Sequence, residues 1–266
     1  SWGYFPRRVQ ASAGQLADAV AHYSFISSIS AYRDGMPNGF DESATLWELE
    51  DPTVEHIVPE TYGGLKVLCG QAANAEMPGR ILVIRPGLIV GPDDESDRFT
   101  YWPLRLTRGG EILAPGSTNA PVQFIDVRDL ALWNIIMAEQ QNTGIYNTTG
   151  PQQPLTMGEF FDQCQKALAI EANLTWVNDA FLLQHNVVPF IGIPLWLPPS
   201  DLAFNTANSQ KAFAMGLALR PLAETVTDTL ACATSATDNT ALRAGLSAEQ
   251  EQQLLRAWHQ FAELPA

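Results

Sequence analysis

Ile81-Leu82-Val83-Ile84 is a short, unbroken apolar run, closed by Met77-Pro78-Gly79 on one side and Arg85-Pro86-Gly87 on the other. A strand that is apolar at every position is covered on both faces, the condition of a parallel sheet with helices on either side. Tyr23 to Ile29 has the same apolar character and runs into hydroxyl residues at its carboxyl end, Ser27, Ser28 and Ser30. Val122-Gln123-Phe124-Ile125 and Gly144-Ile145-Tyr146-Asn147-Thr148 read as further strands. Helical patterns lie between them: Arg8 to Val20, Thr61 to Ala75, and a third from Asp126 or Val127 to Gln140. Strands alternating with helices predict an α/β fold built on a parallel sheet.

In such sheets ligands sit at the carboxyl ends of the strands. Ser28 is expected there, and the next helix carries Tyr62-Gly63-Gly64-Leu65-Lys66. Residues four apart on a helix share a face, so Tyr62 and Lys66 can reach a common target. The chain has six tyrosines and only three lysines, Lys66, Lys166 and Lys211, which makes the pairing rare by chance. An ammonium beside a phenol favours the phenolate, and that is how a tyrosine becomes a general acid/base.

With Ser28, Tyr62 and Lys66 in place, the chain resembles the extended short-chain dehydrogenases/reductases, in the NAD-dependent epimerase/dehydratase branch. Arg85-Pro86-Gly87-Leu88-Ile89-Val90-Gly91-Pro92 and Gln123 to Ala131 are similar to later landmarks of that family. The resemblance runs from Gly3-Tyr4 to the C-terminal helix. It implies a Rossmann-like doubly wound sheet, NAD or NADP as cofactor, a small-molecule substrate, a cytoplasmic enzyme, and hydride transfer with Tyr62 moving the proton. Lys66 would hold the nicotinamide ribose and bias Tyr62 toward phenolate. Ser28 would stabilise the reacting oxygen, and Arg85, Pro86 and Gly87 would lie by the nicotinamide. A homodimer is compatible with this reading.

Two features depart from the family. Pro121-Val122-Gln123 stands where relatives acting on nucleotide sugars commonly carry a diphosphate-gripping arginine. No G-x-x-G-x-x-G or G-x-G-x-x-G occurs in the 266 residues, so the turn that binds a pyrophosphate at a helix N-terminus is not among them. The expectation is a chain whose N-terminal βαβ units are missing, leaving the Tyr23–Ile29 strand with an unpaired edge and dinucleotide binding weak.

Residues 1–150 are expected to form the remainder of the cofactor domain and 151–266 a smaller, mostly helical substrate lobe. Thr156 with Glu159 and Ser247 with Gln250 have the spacing of capping boxes. Asp179 and Asn208 are expected as further caps, and Leu174 to Val177 as a strand. The proline-rich run Pro189 to Pro199 is read as a lid or floor beside the substrate, with Trp102 and Trp196 lining that side. Asp126, Arg128 and Asp129 are assigned a structural role, and Asp93 to Arg98 is expected to be mobile.

Charge and cysteines narrow the function. A net charge of −14 opposes binding to a phosphate backbone, which needs a basic footprint. No apolar run approaches the roughly 18 residues of a membrane span. Cys69, Cys164 and Cys232 are too widely spaced for a zinc site and fit reduced thiols. His56 lacks a second ligand at useful spacing, so no metal site is read. The competing readings are a non-catalytic relative of the same fold that binds RNA or senses redox state, as the chloroplast stem-loop RNA-binding proteins do, and an inactive fragment of a longer enzyme.

Overall fold

The structure is a computed structural model, describing residues 3–235 and 241–262. Parallel pairing begins with β1 (Tyr23–Ile26) beside β2 (Ile81–Pro86), in the register Phe25 opposite Val83 and Ile26 opposite Ile84. On the far side of β2 lies β6 (Gly144–Thr148), with Ile84 opposite Tyr146 and Pro86 opposite Thr148. The order is therefore β1-β2-β6, and β1 is an edge strand among the described residues. A second sheet has the order β3 (Leu88–Val90), β5 (Pro121–Asp126), β7 (Gly150–Thr156), and a third pairs β4 (Glu111–Pro115) in parallel with β8 (Asn173–Val177).

Successive side chains on a strand face opposite ways, and here each set finds a helix layer. On one face Phe25 and Ile81 pack with Val9 and Ala13 of α1 (Pro6–Leu16) and with Cys69 and Ala73 of α2 (Pro59–Glu76). On the other, Leu82, Ile84 and Tyr146 pack with Leu130, Trp133 and Met137 of α4 (Val127–Glu139). Ala212 and Leu217, from much later in the chain, complete this second core. The sheet is covered on both sides, as the apolar run at Ile81–Ile84 required.

Tyr23–Ile29 was expected as one strand, but β1 ends at Ile26. Ser27 N–H still donates to Ile84 O at 2.6 Å. Ser28 Oγ then accepts from Ser30 N at 3.0 Å and caps a single turn of 3-10 helix, Ile29–Ala31. This local bond diverts the chain from the ladder.

The described chain divides into two compact units that are not contiguous in sequence. The first takes the chain up to Ile89, Gln123–Gln153 and Ala203–Leu219; the second takes Val90–Val122, Pro154–Leu202 and the chain from Arg220 onward. There is thus no single division at 150, because 90–122 joins the later unit and 203–219 returns to the earlier one.

The second unit contains α3 (Tyr101–Thr107), α5 (Met157–Leu168), α6 (Asp179–Gln184), α8 (Leu222–Ser235) and α9 (Ala248–Ala262), with the β4–β8 pair. Both capping boxes form: Thr156 with Glu159, and Ser247 with Gln250. The cap of α6 is Asn178 rather than Asp179, since the Asn178 carboxamide accepts from Phe181 N at 2.8 Å and leaves Asp179 in the first turn. Asn208 accepts from Gln210 N at 2.9 Å where α7 (Gln210–Ala214) begins.

Trp102 and Trp196 do not line a pocket; each is at most 1% exposed. Trp102 donates to Pro194 O at 3.0 Å and Trp196 to Asp179 Oδ1 at 2.8 Å. Ile193 and Leu195 are equally buried, so this part of the proline-rich run is interior packing, not a lid. An indole can go inside when its one donor finds an acceptor. The charged run before α3 makes specific hydrogen bonds: Asp94 accepts from Ser96 N and Phe99 N, and Asp97 from Arg243 N.

Candidate active site

The site is assembled where β1, β2 and β6 end. Lys66 lies two turns into α2 and is 6% exposed. Its ammonium donates to Ile26 O at 2.8 Å and to Gly3 O at 3.1 Å. Ile26 is the last residue of β1, so the lysine ties the helix to the strand end from which Ser28 follows. The ammonium also lies 4.9 Å from the Tyr4 ring centre and 5.0 Å from that of Phe25, within cation–π range.

Tyr62 lies one turn before Lys66 and is half-buried. Its ring centre is 6.3 Å from that of Tyr4. Both members of the pair therefore meet Tyr4, which places them on one side of α2, as the four-residue spacing requires.

Two glycines beside Tyr62 bring the helix close to the serine turn. A Cβ on Gly63 would lie 2.1 Å from Ser30 O and 2.6 Å from Trp47 Cδ1; one on Gly64 would lie 2.5 Å from Leu49 Cγ. Trp47 and Leu49 belong to the segment between residues 33 and 58, whose acidic residues Glu48, Glu50, Asp51 and Glu55 are exposed. Ser28 Oγ donates to Ser30 Oγ at 3.2 Å while accepting from Ser30 N.

Arg85 is directed into a buried network. It is 4% exposed, donates from Nη1 to Tyr32 Oη at 2.8 Å, and stacks over the Tyr32 ring at 4.7 Å. Tyr32 Oη donates in turn to Asn147 Oδ1 at 2.7 Å, and Asn147 N–H donates to Glu42 Oε1 at 2.7 Å. Burial pushes the Tyr32 phenol above its usual range, while Arg85 pulls the other way. The network fastens the segment carrying Glu42 to the ends of β2 and β6, and it was not read from the sequence. Its signal would have been Arg85 itself, because an arginine ending a strand apolar on both faces must find partners inside.

Gly87 lies at the turn after β2. A Cβ there would come within 2.4 Å of Thr149 Oγ1 and 3.7 Å of Ile29 Cδ1, so Gly87, Thr149 and Ile29 meet beside Ser28. Thr148 Oγ1, Thr149 Oγ1 and Arg85 Nε are buried without hydrogen-bond partners. Asp126, by contrast, accepts from Arg128 N at 2.9 Å and pairs with the Arg128 guanidinium at 2.7 Å. This is the structural role expected for it, capping α4 and closing β5.

Burial lowers the Lys66 pKa to about 8, only partly opposed by Cys69, and pushes the Cys69 thiol up to about 11. A lysine with a lower pKa folded than unfolded binds fewer protons when folded, so stability rises with pH between the two values. Buried thiols act in the opposite sense once free cysteine ionises. The contrast with a variant isolates the lysine: wild-type melting temperature minus that of Lys66→Met should climb as pH rises from about 8 toward 10.5. A flat difference across that interval would mean that Lys66 does not titrate as a buried group.

No family model matches the chain, and no curated protein matches it. Solved structures do. A UDP-N-acetylglucosamine 4-epimerase from Methanobrevibacter ruminantium, in complex with UDP-N-acetylmuramic acid, superposes with a TM-score of 0.62 at 15% identity over 86% of this chain. A UDP-glucuronic acid 4-epimerase from Bacillus cereus in complex with NAD gives 0.58 at 14% over 85%. A dTDP-4-dehydrorhamnose reductase from Bacillus anthracis in complex with NADP gives 0.56 at 15% over 84%. The fold is that of the extended short-chain dehydrogenases/reductases. This chain spans 67%, 66% and 68% of those three chains, respectively. Its parallel sheet, with helices on both faces, is the Rossmann-like α/β arrangement that the resemblance implied. No helix among the described residues is long and apolar enough to cross a membrane.

Proposed function

We propose that this chain carries the proton-transfer part of an NAD(P)-dependent oxidoreductase or epimerase acting at a carbon–oxygen centre of a small molecule, with Tyr62 as general acid/base. The observation that carries the reading is the Lys66 ammonium, bound to the last carbonyl of β1 on the same side of α2 as Tyr62. Lys66 holds positive charge at neutral pH, below its lowered pKa, and lends Tyr62 a stabilised phenolate. Ser28, at the carboxyl end of β1, stabilises charge developing on the reacting oxygen.

The donor set fits the nicotinamide side of a dinucleotide. Lys66 spends two of its three N–H groups on backbone carbonyls and keeps one for a ribose hydroxyl, while the Pro86–Gly87 turn and the orphaned Thr149 hydroxyl border the same strand ends. When bound, the nicotinamide supplies or accepts hydride. Arg85 has a positioning role here, because its guanidinium is committed to Tyr32. The glycine-rich pyrophosphate turn is not among these residues, so the 266-residue chain by itself is expected to bind NAD or NADP weakly. Calorimetric titration tests that, and micromolar binding would place the cofactor elsewhere.

Tyr62→Phe is the deciding variant. General acid–base catalysis contributes about 10²–10⁴-fold, so turnover should fall by that factor while cofactor affinity changes little. Lys66→Ala should weaken both. The assay follows reduced-nicotinamide absorbance with a panel of sugar nucleotides, alcohols and ketones. Wild-type turnover by Tyr62→Phe would remove the assignment.

A further inference from the structure

The second unit contains a cleft of about 340 Å³ between the Gly109-Gly110 turn and one face of α9. Arg105 is buried in its wall and fully engaged, donating to Glu251 Oε2 at 2.6 Å, Gly109 O at 2.9 Å and Glu111 O at 2.6 Å. Glu251 Oε1 also accepts from Leu113 N at 3.1 Å. Glu111 accepts from the Thr175 hydroxyl and lies 2.7 Å from His259 Nε2; these hydrogen bonds, with Thr175 foremost, hold its carboxyl below the usual carboxylate range. Both acids of the cleft are therefore committed to partners.

Two of its cations are not. Arg108, at the end of α3, and Arg256, on α9, line the cleft exposed, and neither side chain makes a hydrogen bond or ion pair within the described residues. In a chain of net charge −14, this is a local excess of positive charge around a concave space. Guanidinium groups bind phosphate and carboxylate through paired N–H donors, and the cleft volume lies at the lower end of the range for small-ligand pockets, about 300–1,000 Å³. Leu246 and Leu255 supply apolar lining.

We propose that this cleft binds a phosphate dianion, free or as a small phosphomonoester, with Arg108 and Arg256 as its two cationic arms. The site uses none of the residues assigned to proton transfer and stands whether or not that assignment does. Arg105 and Glu251 fix the turn and the helix that carry the arms, and Leu246 and Leu255 receive the organic part of an ester.

Calorimetric titration at constant ionic strength, with inorganic phosphate and separately with phenyl phosphate, tests the proposal. Saturable one-to-one binding is expected. Arg108→Gln combined with Arg256→Gln should weaken it at least tenfold, while Arg7→Gln combined with Arg8→Gln, at another exposed arginine pair, should leave it unchanged. Tighter binding of phenyl phosphate identifies a phosphomonoester site; equal binding identifies a site for the free anion. Absence of saturable binding by both probes overturns the proposal. Equal weakening by the two double variants does the same, since it would report general charge. Circular dichroism melting of each variant confirms that the comparison is between folded proteins.

Discussion

Gly63→Ala is expected to destabilise the protein by about 3 kcal/mol or more, at the upper end of overpacking costs. Helix propensity alone predicts the opposite sign, since alanine is favoured over glycine inside a helix by about 1 kcal/mol. The added methyl would lie 2.1 Å from the Ser30 carbonyl oxygen, and a backbone atom cannot rotate away as a side chain can. Either α2 or the serine turn must move. Gly64→Ala provides the contrast: the three atoms nearest its methyl all belong to the Leu49 side chain, which can change rotamer, so its cost should be clearly smaller. Urea unfolding of the two variants reads the difference. A Gly63→Ala protein as stable as wild type would show that α2 and the serine turn are not held this closely. The same substitution should depress any Tyr62-dependent turnover, because α2, which carries Tyr62, must shift against the turn that Ser28 caps.

Glu251→Ala is expected to cost about 3–5 kcal/mol, the penalty for breaking a buried ion pair from one side. The Arg105 and Glu251 side chains are 9% and 5% exposed. Losing the carboxylate leaves the Arg105 guanidinium charged inside the protein and strips the Leu113 amide of its acceptor. Glu251→Gln keeps an oxygen for that amide and should recover part of the loss. Thermal and urea melts of both variants check the order. Equal stability of Glu251→Ala and wild type would mean that water reaches the pair and satisfies both sides.

Much of this architecture was legible in local patterns. Ile81–Ile84 announced a sheet covered on both faces, and Gly144–Thr148 duly pairs beside it. The four-residue spacing of Tyr62 and Lys66 placed them together, and Asp126 next to Arg128 identified a cap. Short-range chemistry fixes all of these. β7 was not legible, because Gly150-Pro151-Gln152-Gln153-Pro154 reads as a link. It is nevertheless a strand at the edge of its sheet, the position where proline's missing N–H is tolerated. Trp102 and Trp196 were misread for another reason. Whether an aromatic residue lines a cleft or fills a core depends on the acceptor opposite its indole, and Pro194 lies 92 residues from Trp102. The Arg85–Tyr32–Asn147–Glu42 network shares that property, since its members come from β2, β6 and the connection between β1 and α2.

Ala212 and Leu217, in the core that the sheet shares with α4, bear on how the protein is made. A ribosome that has finished Gln153 has produced every strand of the β1-β2-β6 sheet and α4, yet the segment with Ala212 and Leu217 that completes the core of Leu82, Ile84 and Trp133 is still unwritten. At roughly 5–20 residues per second, the 66 residues from Gln153 to Leu219 take about 3–13 s to appear. Through that interval the nascent chain carries an apolar face that α4 covers only in part, and a chaperone has its opportunity to bind before the late helix arrives.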